Sequence, residues 1–363
     1  MAETEVLPEA DAVEGYTHPR MTEMLFGHAA ALSQILKSRH VGRLHHAIML
    51  AGPKGIGKAT LAWRVARLLL DPQQEEVDEV DIDWQSPTNR RVSALSEPRM
   101  LLARRGWDEK TKKLRNQITV DDMRDFKSFF NFAATDGGWR VAIIDAADEL
   151  NVSAANAMLK ILEEPPERTT MFLIAHHPSR LLPTIRSRCL TLPLATLTAA
   201  EMEAALRQQG VTIKPGMEGL SAMAGGSVGQ ALRLIEVGGL EIYASILDVF
   251  SSTSAERGEA IKLADACLGP ANRLRYEMTT ELIALFLARL AKRGAAPSGS
   301  LLELVPGEAR VLNALSGSVN KARQWAELAI TLPTKAAHGW AVNLDPSSVV
   351  LDMLLSIEKA ARQ

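Results

Sequence analysis

Cysteine is nearly absent: Cys189 and Cys267 are the only two in 363 residues. Two distant thiols exclude a disulfide framework and a four-cysteine zinc site, and they fit a reducing cytoplasmic setting. An excess of one charge is missing too. Lys and Arg total 41 against 43 Asp and Glu, a net of −2, so no global field draws the chain toward nucleic acid. No apolar run approaches the ~18 residues that a membrane span needs, so no membrane partner is expected. Residues 1–15 carry Glu3, Glu5, Glu9, Asp11 and Glu14 but no Lys or Arg. That is the opposite of a secretory n-region, and residues 1–20 read as a disordered acidic leader.

What is present centres on Gly52-Pro53-Lys54-Gly55-Ile56-Gly57-Lys58, set between the apolar run Ala47–Leu50 and a stretch of helical periodicity from Leu61 to Leu70. Strand, glycine-rich loop and helix in that order make a phosphate cradle. Backbone N–H groups converge on an anion, the helix N-terminus adds its positive dipole end, and Lys58 adds a full charge. Gly52, Pro53, Gly55, Gly57, Lys58 and Thr60 are the candidate nucleotide contacts, for ATP or ADP. One position departs from the pattern. A hydroxyl directly after the lysine ligates Mg²⁺, and here that residue is Ala59. Thr60 lies roughly 100° further round a helix and does not substitute for it directly. Nucleotide binding and an empty, inherited loop both stay open on these residues.

A second apolar run, Trp139–Asp145, ends in a carboxylate. In phosphate-loop ATPases such an Asp assists Mg²⁺ and the next residue is usually a Glu that activates water. Asp145 is the candidate here, but Ala146 follows it, and Asp148 and Glu149 fall on the turn into the next helix. Two parts of a hydrolytic apparatus are therefore missing. His45-His46 has no third ligand at useful spacing, and no metal site is assigned. Strand signals at 118–120, 139–145 and 170–175 alternate with helical ones, which predicts a parallel α/β sheet. Residues 71–83 are acidic. Residues 99–115 reverse the sign with Arg99, Arg104, Arg105, Lys110, Lys112, Lys113 and Arg115, either a solvated face or a nucleic-acid patch. Arg186 and Arg188 could be surface residues, local ion-pair partners, or guanidinium groups reaching a neighbouring subunit's phosphates. From Thr196 the strand signal fades. A capping box at Thr198 and Glu201 opens a three-helix unit over 196–239. Longer helices follow over 240–363, with breaks expected at Gly269-Pro270, at 294–299 and around Pro333–Asp345.

Four motifs carry a family resemblance: Phe26-Gly27-His28, the phosphate loop, the run Ala-Asn-Ala-Met-Leu-Lys-Ile-Leu-Glu-Glu-Pro-Pro at 155–166, and Ser187-Arg188-Cys189. Together they are similar to the clamp-loader AAA+ family. The resemblance covers essentially the whole chain. It implies an AAA+ phosphate-loop domain (21–195), a helical lid (196–239) and a helical collar for oligomerisation (240–363). It implies that Arg188 acts as an arginine finger in a neighbour's ATP site. Family motors carry Arg in the lid sequence Gly-Ser-Leu-Arg-Asp-Ala-Leu; the matching stretch is Gly226–Leu232, with Gly229 at the Arg position. With Ala59 and Ala146, this absence points to a non-hydrolysing stator rather than a motor-type ATPase. It would act in a ring with ATPase subunits and a delta-type subunit, load a sliding clamp on primed DNA, and belong to a DNA polymerase (nucleotidyltransferase) holoenzyme. Many relatives carry a four-cysteine zinc module after the first helix, which two cysteines cannot build.

Overall fold

The computed structural model describes residues 8–71, 81–131, 138–212, 217–251, 257–296, 299 and 301–362. The chain divides into two compact units: Met1–Thr212 with Gly226–Gly229, and Ile213–Gly225 with Gln230–Gln363. Among the described residues, no helix is long and apolar enough to cross a membrane.

The first unit holds α1 (Ala29–His40), β1 (Ala47–Ala51), α2 (Lys58–Leu70), α3 (Pro87–Ser93), β2 (Met100–Arg104), β3 (Trp107–Asp108), β4 (Lys113–Leu114), α4 (Arg124–Asn131), β5 (Arg140–Asp145), α5 (Val152–Glu163), β6 (Thr169–Ala175), α6 (Pro183–Arg186), β7 (Leu190–Pro193) and α7 (Ala199–Gln208). Five strands form one sheet in the order β2-β5-β6-β1-β7, every pair parallel. Register sets Ile48 beside Phe172 and Phe172 beside Ile143. Successive strand residues point to opposite faces, and both faces are covered. Ile48, Leu50, Ile143 and Phe172 pack with Leu32 and Ile35 of α1 and Leu61, Val65 and Leu68 of α2. Met49, Ala142, Ile144 and Leu173 pack with Phe126 and Phe130 of α4 and Met158 and Leu162 of α5. That two-sided burial explains why these strands read as continuous apolar runs.

Two expectations change. Within the acidic leader, residues 1–7 lie outside the described residues, but from Glu9 onward the segment is held in place: Glu9 pairs with Arg20 at 2.5 Å and Arg104 at 2.8 Å, and Asp11 with Arg104 at 2.6 Å. Residues 118–120 make a single bridge, Ile118 to Leu150, rather than a strand. The region after α2 is described in part. Residues 72–80, with Glu75, Glu76, Asp78 and Glu79, lie outside the described residues. Beyond them α3 is anchored by Asp71, which accepts from Ser86 Oγ (2.6 Å) and Asn89 Nδ2 (3.1 Å). Arg67, buried on α2, donates to Asn89 O, Arg20 O and Ser93 Oγ and lies 4.3 Å over the Trp84 ring. Burial pushes this guanidinium down to about 10.

The second unit is helical: α8 (Glu218–Met223), most of α9 (Val228–Val237), α10 (Gly239–Ser251), α11 (Arg257–Asp265), α12 (Arg273–Ala295), α13 (Glu308–Ser316), α14 (Val319–Ala341) and α15 (Pro346–Arg362). The break expected around Pro333–Asp345 falls at its C-terminal end, between Ala341, where α14 stops, and Pro346, where α15 starts, so Pro333 itself lies inside α14. Proline frees one carbonyl of the preceding turn, while buried Leu332 and Ala336 keep the helix in the core and Thr334 Oγ1 donates to Ile330 O at 2.9 Å. Packing outweighs propensity. The loop before α13 is pinned by Glu308, which is fully buried. Its carboxylate accepts from Tyr243 Oη (2.7 Å), Leu304 N (2.7 Å) and Arg289 Nη2 (3.0 Å). Burial and the adjacent Glu308 carboxylate push the Tyr243 phenol upward.

Removing one partner of a buried pair strands the other, at a cost of roughly 3–5 kcal/mol. Glu308→Ala is therefore expected to lower the unfolding free energy by about that amount in urea titration. A loss under about 1 kcal/mol, the range of an exposed pair, contradicts the anchoring role.

Candidate functional site

The phosphate loop follows β1 at the C-terminal edge of the sheet, where ligands of open α/β folds collect. Gly57, at φ 101°, caps α2, and Gly55 has φ 77°; both are conformations open to glycine. Lys58 is 2% exposed. Its Nζ donates to Gly52 O at 2.6 Å and to Pro53 O. Burial pushes the ammonium down to about 8, against the pull of the Asp145 and Asp148 carboxylates. The next carbonyls are occupied as well. Ser227 Oγ donates to Lys54 O at 2.7 Å, Gly229 N to Gly55 O at 3.0 Å, and His28 Nε2 lies 2.7 Å from Ile56 O. Five consecutive carbonyls, residues 52 to 56, thus meet donors of the protein itself. The approach needs glycine on both sides. A Cβ on Gly55 would stand 2.5 Å from Ser227 Oγ, and one on Gly229 would stand 3.0 Å from Gly55 Cα.

Asp145, 8% exposed, ends β5 with Ala146 beside it, 3% exposed. Burial raises its carboxyl to about 7, the neighbouring Asp11 adds to the rise, and Lys58 opposes it. The nearby acids have other work. Asp148 accepts from His176 N and His177 N, both at 2.9 Å, and Glu149 pairs with Arg105 at 2.8 Å. His176 is driven down to about 4 by burial, so its ring is neutral. Thr60 sits half-buried in the first turn of α2, and Ala59 offers only a methyl group. These residues do not fit a hydrolysing Mg·ATP: the hydroxyl ligand and the water-activating carboxylate are replaced by alanines, and the lysine is turned into its own loop.

The basic stretch 99–115 is largely neutralised. Arg99 pairs with Glu97, Arg104 with Glu9 and Asp11, Arg105 with Glu149, Lys112 with Glu109 and Arg115 with Asp122; Lys110 and Lys113 are exposed. His18, 8% exposed, lies 3.0 Å from Glu9 and 3.2 Å from Asp11. That trio approaches metal-ligand spacing, but Arg20 and Arg104 already balance its carboxylates.

Arg188 follows α6, whose last residue is the exposed Arg186. Its Nη1 donates to Thr184 O at 3.0 Å and its Nη2 to Glu163 Oε1 at 3.0 Å. The sequence placed Arg188 and the 155–166 run as separate motifs; the fold joins them. The pairing was invisible because it depends on where α5 ends relative to α6. Ser227 carried no candidate role in the sequence, because its contact with the phosphate loop spans residues far apart in the chain.

A glycine-rich loop after the first strand of a parallel sheet, with a carboxylate at the end of a neighbouring strand, defines a phosphate-loop protein of the AAA+ class. The family model described as DNA polymerase III, delta subunit, matches residues 27–198. DNA polymerase III subunit delta' of Pseudomonas aeruginosa is 33% identical over 280 residues, covering 71% of this chain and 81% of the relative. DNA polymerase III subunit tau of Escherichia coli is 28% identical over 223 residues, 60% of this chain but 33% of the relative. A solved structure of a DNA polymerase III gamma subunit-related protein from Thermotoga maritima covers 91% of this chain and 100% of that one at 16% identity, with a TM-score of 0.40, too low to add to the fold. The chain belongs to the DNA polymerase III subunit delta' family of clamp-loader AAA+ proteins.

The buried carboxyl makes a pH prediction. Asp145 is raised above its unfolded value of 3.8 to about 7, so the folded state holds its proton more tightly. The contribution is complete below about pH 4 and is lost as pH rises toward 7. Asp145→Asn should flatten the fall in unfolding free energy across that window; parallel profiles for the two proteins contradict the assignment.

Proposed function

We propose that this chain is the non-hydrolysing stator of a DNA polymerase III clamp loader. In this reading it sits in a hetero-oligomeric ring with gamma/tau-type ATPase subunits and a delta-type subunit. Its helical residues 240–363 form the collar, where α14 exposes Val319 and Ile330. Arg188 enters a neighbour's ATP site, and the assembly places the sliding clamp on primed DNA. The observation that carries the proposal is that alanines, Ala59 and Ala146, stand in the metal-ligand and water-activating positions. Lys58, bound to Gly52 O and Pro53 O of its own loop, supports it. So does the exposure of the Arg188 side chain, 36%, since a finger must reach beyond its own subunit.

The contribution of Arg188 is electrostatic. A guanidinium aimed at a transferring γ-phosphoryl group stabilises charge that grows in the transition state, worth roughly 10³-fold or more in rate. Lys cannot replace its planar fork. The motor-type alternative requires Lys58 to leave Gly52 O and Pro53 O and the missing ligands to be supplied by a neighbour. A stand-alone DNA-binding role for 99–115 draws little support from a patch whose arginines face carboxylates.

The test is DNA-stimulated ATP hydrolysis by the loader rebuilt with its motor subunits. Arg188→Ala should cut turnover at the dependent site by about 10³-fold, diluted in the total by sites that keep their own finger. The isolated chain should be inert. Steady turnover by the isolated chain, or full activity with Arg188→Ala, overturns the stator assignment.

A further inference from the structure

We infer that Glu163 is a positioning residue for Arg188, holding the guanidinium in the pose from which it reaches a neighbouring subunit's phosphates. This rests on the arginine-finger reading given above. Arg188 is gripped at two points: Nη1 by the Thr184 carbonyl and Nη2 by Glu163 Oε1, each at 3.0 Å. A guanidinium has five N–H donors in a fixed plane. Two contacts on adjacent nitrogens fix that plane and leave three donors for a ligand. The side chains stay accessible, 36% for Arg188 and 51% for Glu163. The grip therefore orients the group without burying it.

The location of Glu163 argues against a purely structural purpose. It is the last residue of α5, and Glu164 follows at the cap. Carboxylates at a helix C-terminus face its negative dipole end and are unfavourable there. Exposed ion pairs add little to folding, so neither the helix nor the fold gains much from Glu163. What the carboxylate does accomplish is to remove rotamer freedom from a long side chain before any ligand arrives. Preorganisation of this kind moves the ordering cost out of the reaction step. The carboxylate lies on one nitrogen alone, so the net positive charge of the fork is damped and not cancelled at the two remaining faces.

The experiment uses the reconstituted loader with Glu163→Ala, Glu163→Gln, Arg188→Ala and the double variant Glu163→Ala/Arg188→Ala. Turnover is measured against ATP concentration, and thermal midpoints are measured on each chain. Glu163→Ala should lower kcat of the dependent site by on the order of tenfold, as small misplacements of a catalytic group do, with KM for ATP and the thermal midpoint unchanged. Glu163→Gln keeps an acceptor oxygen and should recover most of the rate. The double variant should be no slower than Arg188→Ala alone. If Arg188→Ala slows the loader and Glu163→Ala does not, the positioning role is wrong while the finger stands. If Glu163→Ala lowers the thermal midpoint and its effect multiplies with that of Arg188→Ala, its role is structural and the inference fails. If Arg188→Ala has no effect, the finger reading falls and this inference with it.

Discussion

Lys58 has its ammonium buried at the heart of a loop whose residue pattern belongs to phosphate binding. Burying a charge is costly unless hydrogen bonds replace water, and here the loop's own carbonyls at Gly52 and Pro53 do so. The consequence spreads outward. With Lys58 turned inward, the segment bearing Ser227 and Gly229 settles directly on Lys54 and Gly55. Glycine at 55 and 229 is what lets the two backbones meet. Asp145 is a buried carboxyl whose hold on its proton is strengthened by burial and weakened by Lys58. Lys58, Ser227 and Gly229 thus all bond to carbonyls of the one loop.

The same logic of internal compensation runs along the sheet edge. Arg104 ends β2 opposite Asp145 in register, and its charge is met by Glu9 and Asp11 from the N-terminal segment. Arg67 draws that segment and α3 onto α2. After α2, among the described residues, a buried arginine, an aspartate and a stacked tryptophan hold α3 in place.

Much of the first unit was legible because buried parallel strands announce themselves as apolar runs, and β1, β5 and β6 all fall where those runs lie. The glycine loop, Asp145 and the Ser-Arg-Cys segment were equally visible, since each is contiguous. Charge runs misled. Residues 1–20 read as a disordered acidic leader because the partner of Glu9 and Asp11, Arg104, lies some ninety residues away, and 99–115 read as a solvated face or a nucleic-acid patch for the mirror-image reason. The break expected around Pro333–Asp345 comes at the far end of that interval, because Leu332 and Ala336 hold α14 in the core across the proline. Glu163 sat in plain view, but its link to Arg188 exists only once α5 and α6 are folded.

Nucleotide binding by the isolated chain tests the loss of the ATP apparatus most directly. Calorimetric titration with Mg·ATP, at concentrations into the millimolar range, should show no saturable binding, because the Mg²⁺ hydroxyl is missing at Ala59 and Lys58 must leave Gly52 O and Pro53 O to reach a phosphate. Saturable binding with a micromolar dissociation constant would contradict it, and would mean that this loop still opens as a phosphate cradle.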